Sequence, residues 1–215
     1  MALQFEPEVG HARWFVDGDS DWQRLCSIGP SGFSRYVRVP HPVDDGGVGE
    51  EHPDGIALAN LLRVLGRHTS TSQDCFFGLW DGYGHVHGGS AVAVLYTTRR
   101  PRWRDLWRQG PQLSVPAAFP AEVVQGPRVR IPNRDYLLFR GPLLEAGQWG
   151  ARGPAWQDAP PRIPNLMWPA DHAWFAATDV DNDWTGIGGS PDLLVELLQH
   201  PDIDTQRLDP RHWTR

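Results

Sequence analysis

The 215-residue sequence predicts an α+β fold, with one domain built on a mainly antiparallel sheet flanked by two or more helices. Short apolar runs bounded by Gly, Pro, Asp and Asn recur along the chain, as is typical of short strands. Two other segments carry apolar residues at helical spacing. The 11 Trp residues indicate a packed interior, because disordered chains are poor in aromatic residues. The 23 Gly and 20 Pro residues predict long loops that are also rich in Trp.

The first 54 residues predict two strands and a short helix. The apolar run at 12–16 predicts a strand that ends in a turn. A short helix is expected through Trp22 and Leu25. Alternating residues at 33–39 then predict a second strand, which Pro40 and Pro42 end. Residues 43–54 are rich in Gly and acidic residues without periodicity, which predicts a loop.

The middle of the chain predicts a helix followed by a hairpin. Apolar residues from Ile56 to Leu65 recur at helical spacing, and Gly66 lies near the expected C-terminal stop. The continuous apolar run at 75–80 predicts a buried strand. A glycine-rich turn at 81–90 leads to a further strand at 91–96, and the short spacing predicts that these two strands pair as a hairpin.

Residues 97–134 have a different composition, with six prolines, many Arg and Trp residues and little periodicity. They predict an irregular surface excursion within a single domain that spans residues 1–215, with one helical turn around 104–109. A strand is expected at 135–139, and a Gly- and Pro-rich loop at 145–164.

The clearest run of local signals lies between Trp168 and His200. It predicts a strand at 173–178, an acidic turn at 179–183, a returning strand at 184–187 and a corner at Gly188-Gly189. Ser190 is then expected to cap a helix that has a proline at its first position. A last edge segment is expected between residues 203 and 208.

Composition argues against several classes of function. A net charge of −6 and a pI near 5.8 do not favour binding to nucleic acid or to an acidic membrane surface. All 20 basic residues are arginine, which we attribute to nucleotide composition rather than to function. With two cysteines, no signal-peptide pattern and no apolar run long enough to cross a bilayer, we expect a cytoplasmic protein.

Tryptophan- and glycine-containing motifs resemble a family of uncharacterised actinobacterial proteins. They are FFGLWDGYG at 76–84, WPAD at 168–171, Ala173-Trp174, Ala177-Thr178-Asp179 and Gly188-Gly189. This resemblance implies no activity. The strand-turn-strand-helix ending is also similar in architecture to the SUKH immunity proteins, which are α+β modules that bind and neutralise toxins. That second resemblance implies a role in binding a protein.

The acidic turn is the first candidate site. Asp179, Asp181 and Asp183 alternate like the start of a calcium loop, but an EF-hand needs Gly and Glu where this chain has Trp184 and Ser190. A looser metal or polar-ligand site is one hypothesis, since alternating residues of a strand share a face. The favoured interpretation is a turn whose Asp and Asn side chains cap its own backbone.

Other constellations are less complete. His85 and His87 form one local pair, whereas zinc requires three or four ligands. Cys75 with His68 would be a nucleophile and a base, but Cys75 opens an apolar strand, where cysteine is usually buried. The glycines match neither dinucleotide-binding nor P-loop patterns, and the chain has no lysine. The Arg- and Trp-rich segment at 99–108 is interpreted first as solvated, second as a protein contact and third as a nucleic-acid contact.

These observations favour a non-catalytic protein-binding module, with an immunity-like or regulatory role, without a cofactor or metal. The alternatives are a metal-assisted hydrolase that uses the acidic turn and nearby histidines, and a small-molecule binding protein with a Trp-lined pocket. The candidate binding residues are Trp80, Asp81, Tyr83, Trp168, Asp171, Trp174, Asp179, Asp181, Asp183 and Trp184.

Overall fold

A computed structural model describes residues 3–18, 21–41, 53–91, 113–151 and 163–209. The described strands are β1 Gln4–Phe5, β2 Arg35–Pro40, β3 Cys75–Trp80, β4 Gly89–Ala91, β5 Leu113–Val115, β6 Val129–Ile131, β7 Arg134–Gly141, β8 Leu166–Pro169, β9 Phe175–Ala177, β10 Trp184–Gly189 and β11 Gln206–Leu208.

Nine of these strands form one antiparallel sheet in the order β1-β7-β3-β8-β9-β10-β2-β11, with β6 also paired to β7. Strands β4 and β5 pair separately. The described helices are α1 Arg13–Val16, α2 Trp22–Ser27, α3 Pro53–Arg67, α4 Gly84–His87, α5 Ala121–Val124 and α6 Pro191–Gln199. The predicted α+β class, with a mainly antiparallel sheet flanked by helices, is therefore confirmed.

The sheet separates two apolar clusters. The first contains Leu65 of α3 and Leu197 of α6, packed with strand residues such as Phe77. The second contains Phe15 of α1 and Leu25 of α2, packed with strand residues that include Trp168, Phe175, Phe76, Leu138 and Leu166. With one cluster on each side, both faces of the central strands are buried. Because consecutive residues of a strand point to opposite faces, this burial explains the continuous apolar run at 75–80.

Helix α6 forms as the sequence predicts. The Ser190 hydroxyl accepts a hydrogen bond from the Leu193 amide, and Pro191 occupies the first turn, where its missing N–H leaves no hydrogen bond unmade. The buried face consists of Leu193, Leu194 and Leu197. Helix α3 likewise covers the helical spacing predicted at 56–65, and β3 matches the strand predicted at 75–80.

The prediction of a strand at 12–16 is wrong. Residues Val9–Ala12 form a 3-10 turn that continues into α1. Ala12 and Phe15 are both buried, and their spacing of three residues places them on one side of a helix. The short apolar run could therefore be buried either as a helix or as a strand. Packing of Ala12 and Phe15 in the second cluster favours the helix.

The predicted hairpin between residues 75–80 and 91–96 is also wrong. Strand β3 pairs with β7 and β8, which are distant in sequence, whereas β4 pairs with β5. The glycine-rich segment at 81–90 contains α4 and the start of β4. Residues 92–96 lie outside the described part of the chain.

Part of the predicted irregular excursion at 97–134 has regular structure. The described residues from 113 onward form β5, α5 and β6, and Phe119, Val123 and Ile131 are buried. The helical turn expected at 104–109 lies outside the described residues, and so do residues 43–52 of the loop predicted at 43–54, whose last two residues begin α3. The single-domain organisation stays a prediction.

Gly188 and Gly189 do not form the predicted corner, because both lie within β10. A Cβ on Gly188 would come within 2.7 Å of the Phe33 ring, and one on Gly186 would lie 2.3 Å from the Ser27 carbonyl oxygen. Glycine therefore allows the segment around α2 to pack closely on β10.

Candidate functional site

The acidic turn between β9 and β10 is organised around Asp179. Its side chain is 5% exposed, and Oδ1 accepts a hydrogen bond of 2.9 Å from the Asp181 amide. The Asp179 carbonyl accepts a second bond of 3.0 Å from the Asn182 amide. The turn therefore caps its own backbone, as the favoured interpretation of the sequence predicts.

Arg134, at the start of β7, forms ion pairs with two carboxylates of this turn. Its Nη2 atom lies 3.2 Å from Asp179 Oδ1 and 2.8 Å from Asp181 Oδ2. The guanidinium carbon also lies 5.6 Å from the ring centroids of both Trp22 and Trp80. We call Trp22, Trp80, Arg134, Asp179 and Asp181 the Arg134 cluster.

The charge of Arg134 is held firmly. Burial of its side chain, which is 13% exposed, acts to lower the pKa of Arg134. The hydrogen bond and negative charge of Asp179 act in the opposite direction and prevail, so the pKa of Arg134 is raised. The guanidinium remains charged at any physiological pH.

Asp81 lies beside this cluster, directly after β3. Its Oδ1 atom lies 3.1 Å from Arg128 Nη2 and 3.1 Å from His87 Nε2, although the angles are not those of hydrogen bonds. An open depression of about 390 Å³ is lined by Asp81 together with Trp80, Gly82, Asn133, Arg134 and Asp135. Trp80 and Asp81, both predicted site residues, thus share one surface depression.

The Arg134 cluster is unsuited to holding a cation. Carboxylates that converge on a metal ion leave room for it between their oxygens, but here the guanidinium of Arg134 occupies that position between Asp179 and Asp181. Within the described residues, no group of three or more His, Cys, Asp or Glu side chains could hold a metal ion. The geometry therefore gives the metal-assisted alternative no support.

Asp183 and Trp184 do not join the cluster. The Asp183 side chain is exposed, and its carbonyl accepts a 2.7 Å hydrogen bond from the His41 amide. Trp184 is partly buried at the start of β10, opposite Pro40 of β2. The structure thus brings two of the three alternating carboxylates together and leaves the third at the surface.

Trp168 and Trp174 belong to the core, which corrects their prediction as binding residues. Both are fully buried, and they lie in opposite clusters. Trp168 stacks between Phe76 and Phe175, with ring centroids 5.4 and 5.7 Å away. Trp174 donates a 3.0 Å hydrogen bond from its ring nitrogen to the Leu65 carbonyl. Neither ring is accessible to a partner.

Asp171 lies at the opposite end of the sheet from the Arg134 cluster. It follows β8 on the side where Cys75 begins β3, about 17 Å along that strand from Trp80. Its carboxylate accepts bonds of 2.8 Å from Thr69 and Ser70. Although partial burial acts to raise the pKa of Asp171, these hydrogen bonds prevail and lower it. Asp171 therefore fixes the loop after α3.

Tyr83 leads to a polar row that the sequence analysis did not find. His41 Nε2 lies 2.9 Å from the Thr185 hydroxyl, which lies 2.8 Å from the Thr178 hydroxyl. Asn165 bonds to the Thr178 carbonyl at 3.1 Å and to the Tyr83 hydroxyl at 3.3 Å. We call these five residues the polar row. Thr185 lies within β10, and His41, Asn165 and Thr178 lie directly beside strand ends, so polar residues at these positions are the signal that could have revealed the row.

The two cysteines are not poised for nucleophilic chemistry. Both are fully buried, and burial raises the pKa of the Cys26 thiol to about 11 and that of the Cys75 thiol to about 12. His68, which would have been the base, instead lies with Nε2 2.6 Å from Glu196 Oε2. Both thiols are therefore protonated at neutral pH.

A larger groove lies between α6 and the edge of the sheet formed by β2 and β11. Its volume is about 660 Å³, and its floor includes Val37, Leu194, Val195 and Leu198. Val195 is 49% exposed, one of two large hydrophobic side chains exposed among the described residues. A depression of about 330 Å³ extends it toward Gln199. We call this surface the α6 groove; none of the ten predicted site residues lines it.

The rim of the α6 groove is charged. Arg35 and Arg207 are exposed and line it, together with Asp209. Arg207 pairs with Val37 across the β11–β2 ladder, so its side chain is on the α6 side of the sheet, and Arg35 shares that side because it is two residues from Val37. Within the described residues, no carboxylate forms an ion pair with either arginine.

Comparison with protein-family models, with curated proteins and with solved structures finds no match for this chain. Among the described residues, none of the helices combines the length and the apolar character that crossing a bilayer requires. The site geometry thus carries the functional argument by itself.

Proposed function

We propose that this chain is a protein-binding module that takes up an apolar segment of a partner protein in the α6 groove. The groove itself carries the proposal. It combines about 660 Å³ of open volume with an apolar floor and a half-exposed valine on a regular helix. Exposed apolar surface rimmed by polar residues is typical of protein interaction sites.

Two sets of side chains that were weighed for catalysis are engaged within the fold. The buried thiols are protonated, and Asp179 and Asp181, two of the three carboxylates of the acidic turn, pair with Arg134. The immunity-like or regulatory role expected from the resemblance to SUKH proteins belongs to the same proposal, because such proteins act by holding a partner.

The binding surface proposed from the structure differs from the one expected from the sequence. Tryptophan-rich loops and the acidic turn were expected to contact the partner, but Trp168 and Trp174 are in the core, and the acidic turn pairs with Arg134. The α6 groove, in contrast, offers apolar contacts that no described residue covers.

A random peptide library displayed on phage can test the proposal without a known partner. Enriched peptides are synthesised, and their affinity for the wild-type chain is measured by calorimetry. Val195→Asp places a charge in the groove and is expected to weaken binding about tenfold or more. Leu144→Asp is the matched control, since Leu144 is 67% exposed and does not line the groove.

The result has two clear outcomes. Enriched peptides that bind the wild type and Leu144→Asp equally, but bind Val195→Asp weakly, support the proposal. Failure to enrich any peptide, or equal binding to Val195→Asp, overturns it. Thermal unfolding of both variants shows whether the substitutions leave the fold intact.

A further inference from the structure

We infer that the segment held in the α6 groove is an extended strand with acidic residues that face Arg35 and Arg207. This inference rests on the proposed function and specifies the partner. It follows from three features of the groove, which are the edge strand on one side, the charge of the rim, and the length of the adjoining helix.

The sheet ends at β11 beside the groove. Strand β11 pairs with β2, and among the described residues no other strand pairs with it. Within the described part of the chain, one side of Gln206–Leu208 therefore has no paired strand. When an extended peptide adds to a sheet edge, main-chain hydrogen bonds supply affinity and neighbouring pockets select side chains.

The dimensions fit a short extended segment. Helix α6 runs from Pro191 to Gln199, a length of about 13.5 Å at 1.5 Å per residue. Four residues of an extended chain span about the same length. Alternate residues of such a segment would face α6, where Val195 and Leu198 offer apolar contact.

The charge of the groove favours acidic residues in the bound segment, between the residues that make apolar contacts. The groove lining contains two arginines and one aspartate, a net charge of +1, although the whole chain carries −6. Arg35 and Arg207 carry no ion pair within the described residues. Acidic residues on the α6-facing side of an added strand would therefore meet guanidinium groups, and lysines there would be repelled.

The same charges disfavour two other occupants. Antiparallel pairing of β11 with a second copy of itself, centred on its middle residue, would place Arg207 opposite Arg207, and like charges directly opposite are destabilising. Residues 210–215, which follow Asp209 in the sequence, contain Arg211 and Arg215 and would add positive charge. A foreign acidic segment is the complementary occupant.

Nuclear magnetic resonance titration of the full chain tests this partner chemistry with three defined peptides. The first is Leu-Thr-Glu-Thr-Glu-Thr-Leu, which as a strand presents both leucines and both glutamates on one face. The second has lysine in place of both glutamates. The third, Leu-Glu-Thr-Thr-Thr-Glu-Leu, has the composition of the first but presents the glutamates on the opposite face.

We expect the first peptide to shift the backbone amide resonances of Gln206–Leu208. It is also expected to bind about tenfold more tightly than either of the others, because only the first peptide can form ion pairs with both arginines. Replacing both arginines, as Arg35→Glu with Arg207→Glu, is expected to transfer the preference to the lysine peptide. Both arginines are exposed, so the charge-reversed chain is expected to keep its fold, and its amide spectrum shows whether it does.

Four results would overturn the inference. The first is equal or tighter binding of the lysine peptide or the isomer. The second is that the amide shifts arise away from β11. The third is that the first peptide does not bind while library-selected peptides still bind in the groove, in which case the proposed function stands and the strand mode falls. The fourth is that the shifts of β11 depend on protein concentration alone, which would assign this edge to self-association.

Discussion

The Arg134 cluster and the α6 groove differ in how many of their charged and apolar side chains have partners within the fold. In the cluster, one guanidinium meets two carboxylates and two indole rings, and its side chain is 13% exposed. In the groove, two exposed arginines meet no carboxylate among the described residues, and Val195 is half exposed.

This difference shows why residue type alone is a poor guide to a binding site. Alternating aspartates beside tryptophans have the chemistry of a ligand site, but within the fold Arg134 contacts both the carboxylates and the indole rings. A surface of valine, leucine and arginine has ordinary chemistry, but its exposed valine and its arginines are not covered or paired by other described residues. Changes in the cluster should therefore alter stability, and changes in the groove should alter binding.

The largest expected effect on stability comes from Arg134→Met. It leaves the buried Asp179 carboxylate without its cation, and removal of one partner from a buried ion pair costs about 3–5 kcal/mol. Urea unfolding measures the change. Adding Asp179→Asn to the Met variant should recover at least about 1 kcal/mol, because a neutral amide replaces the stranded charge. A loss below about 1 kcal/mol for the single variant would remove the distinction between the two regions.

Thr185→Val should cause the next largest loss. The valine has nearly the same shape but removes the hydrogen bonds that a 2%-exposed hydroxyl makes with His41 and Thr178. We expect a loss of about 1–3 kcal/mol in the free energy of unfolding. Thr205→Val is the control, since Thr205 is only partly buried, and its expected change is below about 0.5 kcal/mol. Equal changes in the two variants would contradict the prediction.

Asp171→Asn tests the predicted site residue that lies at the other end of the sheet. The pKa of Asp171 is lowered in the folded state, so its carboxylate stabilises the fold above its unfolded pKa near 3.9. That contribution is lost as the pH falls through the lower folded pKa. Because Asp171 is exposed and solvent screens its charge, we expect the variant to be less stable by less than about 1 kcal/mol at pH 7, and this difference is lost as the pH falls through the lowered folded pKa.

Unfolding curves at several pH values measure this difference between the wild type and the variant. A constant deficit across the acidic range would show that the effect comes from packing rather than from the carboxylate charge.

The smallest expected effect on stability belongs to Val195→Asp. Because the side chain is 49% exposed, we expect a change within about 0.5 kcal/mol, matched by Leu144→Asp. The same substitution is expected to weaken peptide binding about tenfold or more. A large loss of stability would show that Val195 supports the core and would weaken the contrast between the groove and the cluster.

The sequence predicts local features of this fold well and long-range features poorly. Helix α6, with Ser190 as its cap, and strand β3 follow from spacing and turn residues within a few positions. The partners of β3 do not follow, because β7 and β8 lie far along the chain and no local pattern specifies the pairing. The helix at 13–16 was missed because the short apolar run at 12–16 fits either structure.

The candidate site shows the same limit. Asp179 and Asp181 were expected to share a face of an extended strand, but they lie in a turn. Arg134, which lies 45 residues before Asp179 in the sequence, contacts both. Nothing near the acidic turn indicates this arginine. Trp168 and Trp174 could not be recognised as core residues, because burial on both faces of the sheet depends on helices from distant parts of the chain.

The polar row has a consequence for the pairing of the strands. His41, Thr185, Thr178 and Asn165 are at or beside the ends of neighbouring strands, and their hydrogen bonds form only when β2, β10, β9 and β8 are in the observed register. A shift of one residue would turn these side chains to the other face and leave buried polar groups without partners. The row therefore discriminates against misaligned sheets during folding, which apolar contacts alone, being non-directional, do less sharply.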